Sequence, residues 1–131
     1  MSKELKEKIL SLRNKVPTQD YEIPGVGKVK IYGFTGLEKS QWQDAIRDPK
    51  GNVVTNKVDP LMFISCVRDE SGKQIFTLAD ELQVRDLPCQ LISQVCTICM
   101  KLSGIGIWAD QEILRNLLKN VENEEKSEGS S

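Results

Sequence analysis

The chain contains no histidine. Histidine is the side chain that changes charge nearest to neutral pH and the commonest metal ligand, so its absence removes the usual general base and the usual ligand together. A serine–histidine or cysteine–histidine nucleophile cannot be assembled within one such chain. Paired carboxylates in a catalytic setting and a phosphate-binding glycine loop are also missing. The sequence therefore predicts that the protein is not an enzyme and holds no cofactor or metal.

An excess of positive charge and long apolar runs are absent as well. The 131 residues include 18 Lys and Arg against 19 Asp and Glu, for a net charge of −1. Proteins that bind nucleic acid need a basic excess to neutralise phosphates, so we expect no nucleic acid partner. No apolar stretch approaches the length of about 18 residues that a membrane helix requires. The charged N-terminus also lacks the apolar segment of a secretory signal, and we expect a cytoplasmic, single-domain protein.

Two of the four cysteines have the spacing of a metal or redox motif. Cys96-x-x-Cys99 permits a zinc or a redox interpretation. The pair, however, lies in the middle of an apolar helical pattern, where Ile92, Cys96 and Cys99 share one face. Free cysteine behaves as a small apolar side chain and is often buried. We therefore expect the Cys96–Cys99 pair to be core residues, with zinc and redox roles as the alternatives, and we expect four free thiols, at Cys66, Cys89, Cys96 and Cys99.

The N-terminal third has the pattern of a helix followed by a β-hairpin. Apolar residues recur at steps of four, three and four up to Pro17, at Leu5, Ile9, Leu12 and Val16. Turn residues then surround Pro24-Gly25, and residues 28–32 alternate between polar and apolar. The alternation predicts that Val29 and Ile31 point toward the core and that Lys28 and Lys30 point away from it.

A capping box predicts the next helix. Thr35 and Glu38 have the Thr-x-x-Glu spacing, which places a helix over residues 36–47 with apolar positions at Leu37, Trp42 and Ile46. A polar loop, expected to be mobile, extends to Lys57. Asp59-Pro60 then opens another helix, with Asp as N-cap and Pro in the first turn. A strand at residues 63–67 is the alternative for this short apolar segment.

Two further helices follow an Asp-Glu-Ser-Gly turn and an extended Gln-Ile-Phe segment. Thr77 caps a short helix, and a longer one begins at Asp86 and ends at Gly104, a C-capping glycine. The apolar stripe of the longer helix is wide, which indicates the most buried helix of the domain. Its residues Ile92, Val95, Ile98, Cys99 and Leu102 are predicted to be buried.

The segment after Gly104 has a different character. Asp110 caps a final amphipathic helix, and residues 122–131 are acidic and polar, as in disordered tails. We divide the chain into an N-terminal helix or arm (1–19), a domain (20–121) and a disordered acidic tail (122–131). The fold class predicted is α+β, a predominantly helical single domain with an N-terminal antiparallel β-hairpin.

Three features, in this order, resemble the tail assembly chaperones of long-tailed bacteriophages. The first is a hairpin that runs directly into a Thr-x-x-Glu-capped helix, at residues 29–38. The second is an apolar segment that ends in an Asp-x-x-Gly turn and a Phe, at residues 64–76. The third is a long helix that ends in Leu-Ser-Gly, at residues 102–104. Each motif alone is common, so the resemblance rests on their order over residues 21–119. The N-terminal helix and the cysteines depart from the family pattern.

The resemblance implies chaperoning and no catalysis. In that family the short protein coats the tape-measure protein and keeps it in solution, and in some phages a longer frameshifted product recruits tail-tube subunits. The implied partners are therefore a tape-measure protein and a tail-tube protein, in the cytoplasm of a bacterial host, with self-association as a further possibility. The alternatives are another phage or prophage structural component, such as a tail-completion or connector protein, and an adaptor domain unrelated to phage.

A chaperone for apolar helices needs an exposed apolar surface of its own. The stripe of the long helix is already used in the predicted core, so the C-terminal segment is the best candidate. Its predicted partner-binding residues are Trp108, Ile113, Leu114, Leu117 and Leu118. In one alternative this helix closes the domain core. In another, the partner surface is the outer face of the hairpin, around Lys28, Lys30 and Tyr32.

Overall fold

Five α-helices and a small antiparallel sheet form the part of the chain that the structure describes. The structure is a computed structural model, and it describes residues 2–106 together with Arg115 and Lys119. The predicted α+β class is confirmed. In chain order the elements are α1 (Ser2–Leu10), β1 (Thr18–Ile23), β2 (Gly27–Tyr32), α2 (Gly36–Ala45), α3 (Thr55–Cys66), β3 (Val67–Arg68), a 3₁₀-helix (Leu78–Asp80), α4 (Glu81–Arg85) and α5 (Cys89–Ser103).

The predicted hairpin is confirmed, and the sheet has one strand more than predicted. β1 pairs antiparallel with β2, and β3 pairs antiparallel with the other side of β2, where Ile31 lies opposite Val67. Ile31 is completely buried and Val29 is half-buried, while Lys28 is exposed and Lys30 half-buried. A strand of two residues at the end of a helix is too short to leave an alternating pattern, which is why the sequence did not indicate β3.

The core lies where α3 and α5 pack on each other and on β2. Four of the five positions predicted to be buried on α5 are buried, and Ile98 is half-buried at the edge of the core. The end of α5 is fixed as predicted, because Gly104 takes a left-handed conformation with φ 68°. Ser103 ties this end to the hairpin, since its Oγ accepts a hydrogen bond of 2.8 Å from the Phe34 N–H.

Two predicted helix starts were wrong. α3 begins at Thr55, within the segment expected to be a mobile loop, so Asp59-Pro60 lies inside the helix. The preceding turn is ordered by Asp48, whose Oδ1 accepts hydrogen bonds of 2.9 Å from the backbone N–H groups of Lys50 and Asn52. The N-cap of α3, Val54, has no capping side chain, so no sequence signal marks this start. α5 begins at Cys89, three residues after the predicted Asp86.

Two apolar surfaces that the sequence pattern indicates are exposed. The capping box of α2 is present as predicted, but Leu37 is 68% exposed. The first helix ends at Leu10, well before Pro17, and Asn14 follows in a left-handed conformation with φ 61°. Every residue of the N-terminal arm, which we define as residues 2–13, is exposed. Periodicity reveals an apolar face but does not show what covers it.

Three of the four cysteines lie in the core, as predicted, and all four thiols are free. Cys66, Cys96 and Cys99 are buried between α3 and α5, whereas Cys89 is exposed at the start of α5. A hydrogen bond with Cys99, together with burial, raises the pKa of the Cys66 thiol. Burial also raises the pKa of the Cys96 thiol.

The C-terminal helix predicted after Asp110 and the predicted acidic tail lie outside the described residues. The domain boundaries at residues 19 and 121 stay predictions. None of the helices within the described residues is long and apolar enough to cross a membrane.

We predict that Gly33→Ala destabilises the fold by roughly 1–3 kcal/mol, the usual cost of overpacking. A Cβ at Gly33 would lie 2.9 Å from the backbone oxygen of Leu102, where β2 meets the end of α5. Gly36→Ala is the matched control, because no atom lies within 4 Å of its added Cβ and alanine favours the first turn of α2. Urea unfolding measures both free energies, and equal stabilities would contradict the tight contact.

We also predict that one thiol of the native protein reacts rapidly with a disulfide-exchange reagent. The thiolate is the reactive form, so buried thiols with a raised pKa react slowly while exposed Cys89 is accessible. Spectrophotometric titration should give one fast equivalent in the native state and four after denaturation, and Cys89→Ser should remove the fast one. Two or more fast equivalents would show that the thiols between α3 and α5 are not protected.

Candidate partner-binding surface

A groove with a partly apolar lining lies between α2 and α3. Its volume is about 440 Å³, within the range of ligand-binding clefts. Leu61 and Ile64, both buried residues of α3, contribute to its lining. The complete lining is formed by Glu38, Gln41, Trp42, Ala45, Leu61, Ile64, Ser65, Gln74 and Leu78.

Trp42 joins the two helices that form the groove. Its indole Nε1 donates a hydrogen bond of 3.0 Å to the Val58 carbonyl of α3. Its ring also lies 6.1 Å from the ring of Phe34, centroid to centroid, at an interplanar angle of 48°. Tilted aromatic pairs at this separation are favourable. The ring is therefore held in place on the groove by contacts at both ends, although it stays half-buried.

One carboxylate connects the rim of the groove to the sheet. Glu38 Oε1 accepts a hydrogen bond of 2.9 Å from the Thr35 N–H and so closes the cap of α2. Glu38 Oε2 accepts a hydrogen bond of 2.8 Å from Arg68 Nη2 on β3. The Arg68 guanidinium lies over the Tyr32 ring of β2 at 4.3 Å from the ring centroid, within cation–π distance. This chain of contacts fixes α2 relative to β2 and β3.

An apolar ridge lies beside the groove. Ile75, Leu78 and Leu82 are 46%, 64% and 70% exposed, and Leu78 also lines the groove. Leu78 of the 3₁₀-helix and Leu82 of α4 are four residues apart, and Ile75 lies in the extended segment before the 3₁₀-helix. Glu81 holds the ridge on α3, because its carboxylate accepts hydrogen bonds from Lys57 Nζ at 3.3 Å and from Arg85.

Sequence reasoning did not find this ridge. Leu78 and Leu82 were assigned to a short capped helix without a function, and Trp42 was noted only as an apolar position of α2. The useful signal is that three residues of 3₁₀-helix followed by five residues of α-helix cannot bury both faces, so Leu78 and Leu82, four residues apart, need a cover from elsewhere.

The partner-binding residues predicted from the sequence all lie outside the described residues, and their assignment stays a prediction. They are Trp108, Ile113, Leu114, Leu117 and Leu118. The alternative surface, the outer face of the hairpin around Lys28, Lys30 and Tyr32, also stays a prediction. Lys28 pairs with Asp20 across the hairpin at 3.3 Å, and the ring of Tyr32 lies under Arg68.

The apolar part of the groove lining is suited to the binding of a protein partner. Within residues 2–106 no three His, Cys, Asp or Glu side chains are grouped so that they could hold a metal ion. The carboxylate at the groove, Glu38, is already engaged by the Thr35 N–H and Arg68. An apolar floor with a polar rim is the arrangement that accommodates an amphipathic helix of a protein partner.

Comparison with known proteins identifies the fold. No family model matches the chain. A search of curated proteins finds no match either. The chain is similar to the solved structure of the tail assembly chaperone of bacteriophage HK97, with a TM-score of 0.57 and 22% sequence identity. The likeness covers 81% of this chain and 99% of that chain. At this identity it shows a shared fold over the whole length of the phage protein.

We predict that Glu38→Gln lowers the free energy of unfolding by about 1–2 kcal/mol. Glutamine can still accept the Thr35 N–H hydrogen bond, but Arg68 then loses the charge-assisted bond to its carboxylate partner. Glu38→Ala removes the cap as well and should cost about 1 kcal/mol more. Glu22→Gln, on the exposed side of β1, is the control. If Glu38→Gln unfolds at the wild-type denaturant concentration, the pair with Arg68 contributes nothing to stability.

Proposed function

We propose that this protein is a phage tail assembly chaperone that binds a tape-measure protein and helps to recruit tail-tube subunits during tail assembly. The observation that carries the proposal is the fold, which spans 99% of the HK97 tail assembly chaperone. The order of hairpin, capped helix and Leu-Ser-Gly helix end, noted in the sequence before any comparison, supports the same assignment. Its place of action would be the cytoplasm of a bacterial host.

The role requires a protein that binds apolar helices without modifying them. The described surface is suited to this, since it carries an apolar groove and an exposed apolar ridge but no cluster of metal-binding residues within the described chain. Exposed apolar surface of this kind is unusual on a protein that acts alone and typical of one that binds partners.

We propose the C-terminal segment as the client-binding surface. Its apolar residues recur with helical spacing, at Ile113, Leu114, Leu117 and Leu118. The described core is formed by residues up to Ile105, which is partly buried against it. A chain that ends after Gly106 therefore keeps every described core residue, and the segment beyond can be removed to test binding separately from folding.

We expect the wild-type chain to keep the tape-measure protein of the same phage in solution when the two are co-expressed, and to co-purify with it. Leu114→Asp with Leu118→Asp should lower this binding by at least about tenfold, because charge would enter an apolar contact. The matched control is Asn116→Asp with Asn120→Asp, which adds the same charge at polar positions. The measurement is the fraction of tape-measure protein in solution and its recovery with the chain.

Two different failures are distinguishable in this experiment. If the wild-type chain neither binds the tape-measure protein nor raises its fraction in solution, the proposed function is wrong. If the wild-type chain binds and the Leu114 and Leu118 variant binds equally well, the function stands and the client surface lies elsewhere. The chain that ends after Gly106 should retain its far-ultraviolet circular dichroism signal for the helices α2–α5 in either case.

A further inference from the structure

We propose that the N-terminal arm of one copy docks on the groove and apolar ridge of a second copy, so that copies associate head to tail. The arm (residues 2–13) and the ridge (Ile75, Leu78 and Leu82) are both apolar and both uncovered. They are complementary in charge and are separate surfaces of one chain. This inference concerns an interaction between copies and does not depend on the identity of the client.

The arm is a preformed helix with an unused apolar face. Leu5 and Ile9, four residues apart on one face of α1, are each 59% exposed, and Leu12, in the turn after the helix, is 49% exposed. None of the residues of α1 is buried. An isolated helix of nine residues is marginal in water, and most helical stability in proteins comes from packing. The arm is therefore expected to gain stability from a partner that covers this face.

The arm is also anchored so that it projects from the domain. Asn14 takes a left-handed conformation that ends the helical turn, and Pro17 is buried beside the sheet. The carbonyl of Pro17 accepts a hydrogen bond of 2.9 Å from the Gly33 N–H. In this arrangement the arm leaves Leu78 and Leu82 of its own copy 64% and 70% exposed. The arm helix of another copy can cover these exposed side chains.

Charge favours this pairing over arm-to-arm contact. Residues 2–13 hold four basic side chains against two acidic ones, a net charge of +2. Residues 69–86, which include the ridge, hold five acidic side chains against two basic ones, a net charge of −3. Two arms would repel each other, whereas an arm and a ridge attract.

The size of the contact determines its strength, and the difference between the two surfaces determines which assemblies it can form. A nine-residue helix extends about 13 Å and covers less than the roughly 1,200–2,000 Å² that a stable interface buries. Each contact is therefore weak. Because the two surfaces differ, a pair of copies keeps one free arm and one free ridge, and association can continue in a row or close into a ring. Copies held side by side on a long client would then reinforce one another.

The test uses full-length chains with one surface disabled at a time. The arm variant is Leu5→Glu with Ile9→Glu, and the ridge variant is Leu78→Lys with Leu82→Lys. Val26→Lys, at a residue 79% exposed in the hairpin turn, is the matched surface control. Circular dichroism verifies that each variant is folded. Analytical ultracentrifugation over a range of concentrations then measures association at low and at high salt.

Wild-type protein and the Val26 control are expected to associate as concentration rises, less at high salt, and either disabled variant alone should associate at least about tenfold more weakly. An equimolar mixture of the two variants keeps one intact arm and one intact ridge, so it should form a one-to-one dimer and nothing larger. Wild-type protein that stays monomeric, variants that associate as wild type, a mixture that stays monomeric, or association independent of salt would each overturn the proposal.

Discussion

The Glu38 carboxylate is the contact on which the arrangement of the described domain depends. One oxygen closes the cap of α2 and the other holds Arg68 of β3, which in turn lies over Tyr32 of β2. A helix start, a two-residue strand and the hairpin are thereby connected through one side chain. Because β3 continues directly from α3, the same contact also fixes the separation of α2 and α3, and this separation forms the groove.

The two layers of the domain use different physical means to stay together. Between α3 and α5 the contact is apolar and includes three buried cysteines, which fill space as small side chains. At the hairpin the contact is close backbone approach, since Gly33 leaves no room for a Cβ beside Leu102 and Ser103 accepts the Phe34 N–H. The apolar contact supplies stability, and the close approach fixes how β2 meets the end of α5.

Local signals in the sequence were sufficient to predict the elements whose geometry is set by their own residues. The Thr35–Glu38 box, the hairpin turn and Gly104 each contain the residues that determine their geometry, so these elements were predicted from the sequence. The start of α3 at Thr55 and the strand β3 depend on contacts with distant residues, and no local pattern indicates them. The same limit applies to the candidate site. Periodicity indicated an apolar face on both α1 and α5. The structure shows that the face of α5 is buried in the core of the domain, whereas no residue of α1 is buried.

The exposed arm also has a consequence for how such a protein can change over time. Substitutions in residues 2–13 remove no buried contact of the domain, because every one of these residues is exposed. Folding therefore places little restriction on their sequence, and selection can act on the arm for other properties. A lineage could lengthen, recharge or delete this segment while the hairpin and helices stay unchanged. Among the residues that the structure describes, the arm is thus a part where related proteins can diverge freely without loss of the fold.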